Sequence, residues 1–420
     1  MKFLRRTARI VPYLLLLLIE VGCGDQYRPI ANPIVSPAGQ PQATHYAFSV
    51  NYNPSGNGSN TEIDVSGDTN LQVVTTGLGS VAQALQGGVF GAMFVANRDS
   101  DTVSEFSLLA TPTVLTVGLH AGSRPVGLAS TASSVVYVVN SGANAVCPNT
   151  GSLSLINTST LAVSNTVCVG VNPGPVAQLP NGGKVYVANQ GDNSISVFNP
   201  ASQSIVATIT PANGLHQNPI SLVASADGTF LYVVNQGNGT SPSMLDIIYT
   251  VTDAIGASVP LGVSPTYGSL DTRLNRLYVT NTGSNSLTVF DVSNVSLGAN
   301  PAIPTLATVT VGSAPVSVAA LPNGINLYVA NSISNDVSVV SSSSLTVVGT
   351  VPVGQNPVFI ASEPTSTKVY TANAGSGTIS IIQTSNNTVT ISMPAPQQDP
   401  NCDPKVSTCP LQRPQMILTQ

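Results

Sequence analysis

The sequence predicts an all-β chain closed into a β-propeller of four-stranded blades, eight favoured and seven the alternative. Three observations carry this. A phrase ending in Asn recurs, as in "KVYVANQGDNSISVFN" (Lys184 to Asn199), "RLYVTNTGSNSLTVFD" (Arg276 to Asp291) and "NLYVANSISNDVSVVS" (Asn326 to Ser341). Its marker residue falls at Asn97, Asn140, Asn189, Asn235, Asn281, Asn331 and Asn373, with a weaker copy at Asn51, so the period is 42 to 50 residues. Each period holds four short apolar stretches, several alternating apolar with polar residues as half-buried strands do. Four strands per unit, repeated at this period, bury their faces by radial stacking.

The elements follow in order within a unit. In one copy the stretches begin at Pro315 ("PVSVAAL"), Asn326 ("NLYVAN"), Asp336 ("DVSVVS") and Leu345 ("LTVVGTV"). The first and second are separated by turns such as "PNGG" at Pro180 to Gly183 or "ADG" at Ala226 to Gly228, where Gly supplies positive φ and Asn or Asp bonds the local backbone. The second and third are separated by "NQGDN"-type loops, and the third and fourth by Ser/Thr/Asn turns. Units are joined by an apolar residue and G-x-x-P, as in "LGVSP" (Leu261 to Pro265), "VGSAP" (Val311 to Pro315) and "VGQNP" (Val353 to Pro357). Eight markers predict eight blades. Should the first unit lack its first strand, the C-terminal tail is the segment able to supply it and close the ring.

Composition agrees. Of 420 residues only 7% are charged, while 42% are hydrophobic, and Gly (36) and Pro (31) are plentiful. This suits many tight turns and a neutral polar surface. It excludes disorder, because apolar residues recur at strand spacing. The net charge of −5, with no basic patch beyond the N-terminus, argues against nucleic acid as a partner.

The N-terminus reads as an export signal over residues 1–22. Lys2, Arg5, Arg6 and Arg9 precede the apolar run "IVPYLLLLLI" (Ile10 to Ile19), which is too short to span a bilayer as a helix. The following "EVGC" (Glu20 to Cys23) resembles the lipobox of bacterial lipoproteins, although Glu20 stands where Leu is usual. That resemblance implies lipidation of Cys23 and a linker over 23–44 that holds a possible first strand. Ordinary cleaved secretion and an uncleaved anchor are the alternatives. All three place the folded part outside the cytoplasm.

The other cysteines fit export. Cys147 and Cys168 flank a hairpin whose midpoint at Asn157 and Thr158 sets them opposite one another, predicting a cross-strand disulfide. Cys402 and Cys409 are expected to close a small loop in a Pro-rich tail, residues 393–420. No Cys and His spacing resembles a zinc site, and no metal or cofactor is predicted.

The "YVTN" at Tyr278 to Asn281 and its variants resemble the YVTN β-propeller repeat family over about residues 45–392. That family's pattern runs P-x3-A, turn, L-Y-V-x-N, loop, N-x-V-S-V-I-D. The resemblance implies a propeller in an exported or surface-associated protein. Related propellers include lactonases and the haem-binding propeller of nitrite reductases, so it implies no single activity.

Few residues stand out for chemistry. The in-register Tyr137, Tyr186, Tyr232, Tyr278, Tyr328 and Tyr370 read as packing between sheets. The marker asparagines are expected to cap the loop that follows them. His120 and His216 both lie in inter-blade connections, with Arg124 near the first, and form the candidate ligand-binding set. "RDSD" (Arg98 to Asp101) puts two carboxylates in one loop, conceivable for calcium but commoner as a turn. There is no G-x-S-x-G, H-E-x-x-H or P-loop, and catalytic residues stay unassigned. The expected function is therefore a non-catalytic binding or scaffold module, lipid-anchored and monomeric, on the periplasmic or cell-surface side of a bacterial membrane. Its expected partner is an envelope protein, peptide or glycan. The alternative is a lactonase-like hydrolase or a metal- or haem-binding propeller.

Overall fold

A computed structural model describes residues 46–394 and 412–419, apart from 55, 66–67, 87–91, 108–112, 131–133, 239–241 and 296–302. The predicted signal segment, Cys23, Cys402 and Cys409 lie outside the described residues.

The strands form eight four-stranded antiparallel sheets, the eight blades favoured by the repeat count. Blades 2 to 8 are each built from consecutive strands, starting at Ser80, Pro125, Pro173, Pro219, Pro265, Pro315 and Pro357. Blade 1 is composite. Tyr46–Tyr52, Asn57–Asp64 and Thr69–Leu78 supply its second, third and fourth strands, and Arg413–Thr419 pairs with Tyr46–Tyr52 as the first. The innermost strands pack neighbour to neighbour around a closed ring, with Arg413–Thr419 between those of blades 8 and 2. The segment set apart as a tail from residue 393 thus re-enters the propeller over its last strand. The innermost place expected within 23–44 is taken by the opposite end of the chain. Closure through both termini leaves no sheet edge at the ring seam.

Strands form where Val, Ile, Leu and Tyr alternate with small polar residues, and the second and third strands of each blade are the most buried. The apolar core is divided into eight clusters, each lying between two adjacent blades. The repeated tyrosines fill these interfaces, as expected: Tyr186, Tyr278, Tyr328 and Tyr370 are fully buried. Some hydroxyls reach the next blade. Tyr186 donates to Asp253 at 2.7 Å and Tyr328 to Asn387 at 2.6 Å. Burial, with Asp253 adding to it, pushes the Tyr186 phenol far above its ordinary range.

The predicted Cys147–Cys168 disulfide is present, with Cα atoms 5.4 Å apart. Its geometry differs from the expectation. Ser152 is the residue opposite Cys168, a register shift falls between Leu155 and Ile156, and Cys147 lies in the loop before the strand. The hairpin turns at Thr158 to Leu161, later than its flanking cysteines suggested. The bond therefore ties the long loop of blade 3 to its outermost strand.

Antiparallel alternation gives the ring two faces. The loops after each second strand and the inter-blade connectors share one, here the upper face. The turns between first and second and between third and fourth strands share the lower.

Candidate functional site

The upper face is built from one device used eight times. In every blade the marker Asn is buried at the end of the second strand. Its Nδ2 donates to a side chain on the adjoining third strand: Asn51 to Thr61, Asn97 to Ser104, Asn140 to Ser154, Asn189 to Ser196, Asn281 to Thr288, Asn331 to Ser338 and Asn373 to Ser380, all at 2.9 to 3.0 Å. The marker thus clamps two strands rather than capping the following loop. Loop capping falls to a later residue with positive φ. Asp101, Asn193, Asn285 and Asn335 accept from the backbone N–H of Arg124, Asn218, Ala314 and Asn356 at 2.7 to 2.9 Å. Those four donors each precede the proline that opens the next first strand.

The connector glycine completes the device. A Cβ at Gly77, Gly170, Gly262, Gly312 or Gly354 would come within 2.7 Å of the next blade's marker Asn. These positions hold Gly because the marker already fills the space.

Blade 5 breaks the pattern at both points. His216 stands where the other connectors have Gly, three residues before Pro219. Asp246 stands where the other third strands have Ser or Thr, and Asn235 donates to its Oδ2 at 2.9 Å. The two substitutions meet. His216 Nδ1 lies 2.7 Å from Asp246 Oδ1, and the His216 backbone N–H donates to Oδ2 at 2.8 Å. Ser258 adds a hydroxyl donor to Oδ1 at 2.5 Å. Asp246 is fully buried, while the His216 side chain is 30% exposed. In the neutral ring, Nδ1–H donates to the carboxylate and Nε2 carries the lone pair. A histidine oriented in this way can take a proton or bind a ligand donor.

A family model described as "Lactonase, 7-bladed beta-propeller" matches residues 93–242 and 256–402. The chain belongs to this lactonase-type propeller family. Blade 1, drawn from both ends of the chain, lies outside the matched segments, so this family member carries seven blades within or adjoining the match and an eighth beyond it. No curated protein matches the chain. Similar solved structures include dihydro-heme d1 dehydrogenase NirN in complex with DHE, at 14% identity and TM-score 0.65, covering 86% of this chain and 77% of that one. Apo AztD from Citrobacter koseri is similar at 11% identity and TM-score 0.59, covering 89% and 98%. Kuenenia stuttgartiensis hydrazine synthase is similar at 17% identity and TM-score 0.53, covering 71% and 94%. At these identities the likeness is one of fold.

The lactonase-family propeller places the sequence candidates apart. His120 is exposed in the connector between blades 2 and 3, where its carbonyl accepts from Ser123 N–H. His216 lies two connectors further round. Arg124 reaches 3.9 Å from Asp99. The "RDSD" carboxylates have structural partners: Asp99 pairs with Arg98 at 2.8 Å, and Asp101 accepts from Gly122 and Arg124 N–H at 2.7 Å each. Among the described residues no three His, Cys, Asp or Glu are grouped to hold a metal ion. Asp246 was missed in the sequence reading. Its signal was the same as that of His216, a departure from the repeat: "LDI" where the other third strands have Ser or Thr in the middle place, as in "VSV", "ISV" and "LTV".

Proposed function

We propose that this chain is an exported, lipid-anchored propeller that acts as a non-catalytic binding module at the bacterial envelope. Its ligand is an envelope protein, peptide or glycan taken on the upper face. The observation that carries this reading is the scatter of reactive groups there. His120 and Arg124 share the connector before blade 3, His216 lies two connectors away against Asp246, and Asp101 is spent on loop geometry. A disc with many neutral Ser, Thr, Asn and Gly loops suits adaptable recognition. The basic n-region, apolar run and Cys23 support export and anchoring. Among the described residues no helix is long and apolar enough to cross a membrane.

Two measurements test it. Fractionation of a Cys23→Ser form is expected to release the protein from membranes, and retention overturns the anchor. A thermal-shift panel of cell-wall fragments, sugar lactones, haem and metals tests the ligand. A ligand at a hundred times its dissociation constant adds about 2.7 kcal/mol. A shift confined to cell-wall fragments supports the binding module.

A second reading is favoured by the His216–Asp246 pair together with family membership: lactone hydrolysis. His216 Nε2 would take a proton from water as its oxygen adds to the lactone carbonyl. Collapse would then break the ring C–O bond, and the leaving alkoxide would regain the proton from His216. Lactone turnover lost in His216→Gln would establish it. Absence of turnover in the wild type would remove it.

A further inference from the structure

The described residues include seven Lys and Arg: Arg98, Arg124, Lys184, Arg273, Arg276, Lys368 and Arg413. Four of them lie on the lower face and are used in stapling blade 4 to 5, blade 6 to 7 and blade 8 to 1. Lys184 donates to the Thr250 carbonyl and Asp253, Arg273 to the Pro322 carbonyl, Arg276 to the Ser342 carbonyl, and Lys368 to the Val65 carbonyl and Asp68. The remaining three lie on the upper face, and they fall on three consecutive blades.

Their placement follows from the repeat. Arg124 and Arg413 occupy one equivalent position, the residue just before the proline that opens a first strand, in blades 3 and 1. The other proline-opened blades have Asn172, Asn218, Ser264, Ala314 or Asn356 there, all neutral. In blade 2, between the two arginines, the position is Gly79, with φ +70°, and a Cβ there would lie 2.3 Å from Asp99 Oδ2. Asp99 is held over this glycine by Arg98, through bonds of 2.8 and 3.0 Å. The Arg98 guanidinium also lies 5.7 Å from the centroid of Tyr52, whose strand partner is Arg413. Arg413, Tyr52, Arg98, Asp99 and Arg124 thus form one continuous track across the rim. Asp101 spends its oxygens on backbone N–H groups, which leaves Asp99 as the carboxylate beside the Arg98 and Arg124 guanidiniums, at 2.8 and 3.9 Å. Arg124 and Arg413 are exposed.

We propose that the upper rim of blades 1 to 3 binds a ligand carrying a carboxylate or phosphate group. Arg124 and Arg413 hold its oxygens, and Arg98, braced by Asp99 and Tyr52, forms the floor between them. Guanidinium forks match the oxygen pairs of both groups. This rests on the binding-module reading and gives its ligand a chemical class.

The test is calorimetric titration of the detergent-solubilised full-length protein with citrate and, separately, inorganic pyrophosphate, at 20 and 200 mM salt. Binding of at least one probe is expected, weakened by the higher salt. Arg124→Gln and Arg413→Gln are each expected to lower affinity about tenfold or more, since hydrogen bonds to charged groups are worth about 1.5–3 kcal/mol. Arg273→Gln, which removes one charge from the lower face, is expected to leave affinity unchanged. Citrate alone would assign a carboxylate ligand, and pyrophosphate alone a phosphate ligand. No binding of either probe, or equal weakening by Arg273→Gln, overturns the proposal. An uncharged glycan that shifts the melting point while both probes fail would sink the anion site and leave the binding module standing.

Discussion

Lys368 Nζ lies 2.6 Å from Asp68 Oδ1, although 300 residues separate them. The pair joins blade 8 to blade 1, so it locks the seam where the ring closes. Its side chains are only 12% and 13% exposed, which takes it out of the weak class of surface ion pairs. Removing one partner of a buried pair leaves a charge uncompensated. Lys368→Met is expected to destabilise by about 3–5 kcal/mol. The guanidinium midpoint checks this, and an unchanged midpoint would mean that the seam does not depend on the pair.

The C-terminal strand carries the same seam. Ile417 is fully buried against Tyr370, Ala372 and Ile379 of blade 8. Ile417→Ala should cost about 2–5 kcal/mol through lost burial and the cavity left. Deleting 413–419 should do more, because it leaves the Tyr46–Tyr52 strand with an open edge inside the ring. Loss of a cooperative melting transition is the expected outcome. A truncated chain that melts like the full one would refute closure by this strand.

At Gly312 an added Cβ would meet Asn331 Nδ2 at 2.5 Å and Asp336 Oδ1 at 2.6 Å. The residue has no positive φ, so the obstacle is space alone. Gly312→Ala is predicted to destabilise by about 1–3 kcal/mol, the usual range for overpacking. Chemical denaturation would read it directly. A neutral result would show that the marker Asn can yield.

The disulfide closes a segment of about 20 residues, for which chain-entropy arguments give about 3 kcal/mol. The paired Cys147→Ser, Cys168→Ser protein should lose stability of that order. Because the bond tethers one loop of one blade, proteolysis between residues 141 and 151 is expected to appear before global unfolding. Unaltered protease resistance would count against the tether.

Glu363 gives the fold an acid limit. Burial pushes its carboxyl up, but bonds from the Thr365 and Thr367 hydroxyls and from the Thr367 and Lys368 N–H groups outweigh it and hold the group below its ordinary value. A depressed carboxyl contributes stability that is present above its unfolded value and is lost as pH falls through the folded one. Stability of the wild type should therefore decline below about pH 4.5, and Glu363→Gln should flatten that decline while lowering stability at neutral pH. Parallel acid titrations of the two proteins, followed by circular dichroism, would decide. Identical slopes would exclude Glu363 as a contributor.

Much of the architecture was legible in the residues themselves. A Tyr-rich second strand, a polar third strand and a G-x-x-P joint, repeated at a steady period, determine a blade by local preference and binary pattern. The same grammar extends to the end of the chain. "RPQMILT" opens with Arg413 and Pro414 as "RPVGLAS" opens with Arg124 and Pro125, and both prolines stand opposite a marker Asn. What the chain could not declare from its own order was which partners meet across blades. The partner of Cys168 moved from Cys147 to Ser152 because the hairpin turns later, at Thr158 to Leu161, and a bulge between Leu155 and Ile156 adds one further residue of shift. Lys368 with Asp68, and Arg413 beside Tyr52 under Arg98, depend on the ring being shut, which brings the two ends of the chain side by side. His216 and Asp246 were both visible as breaks in the repeat. Only the stacked sheets put them 2.7 Å apart, because a connector lies over the third strand of the blade it enters, and that distance is set by packing rather than by sequence spacing.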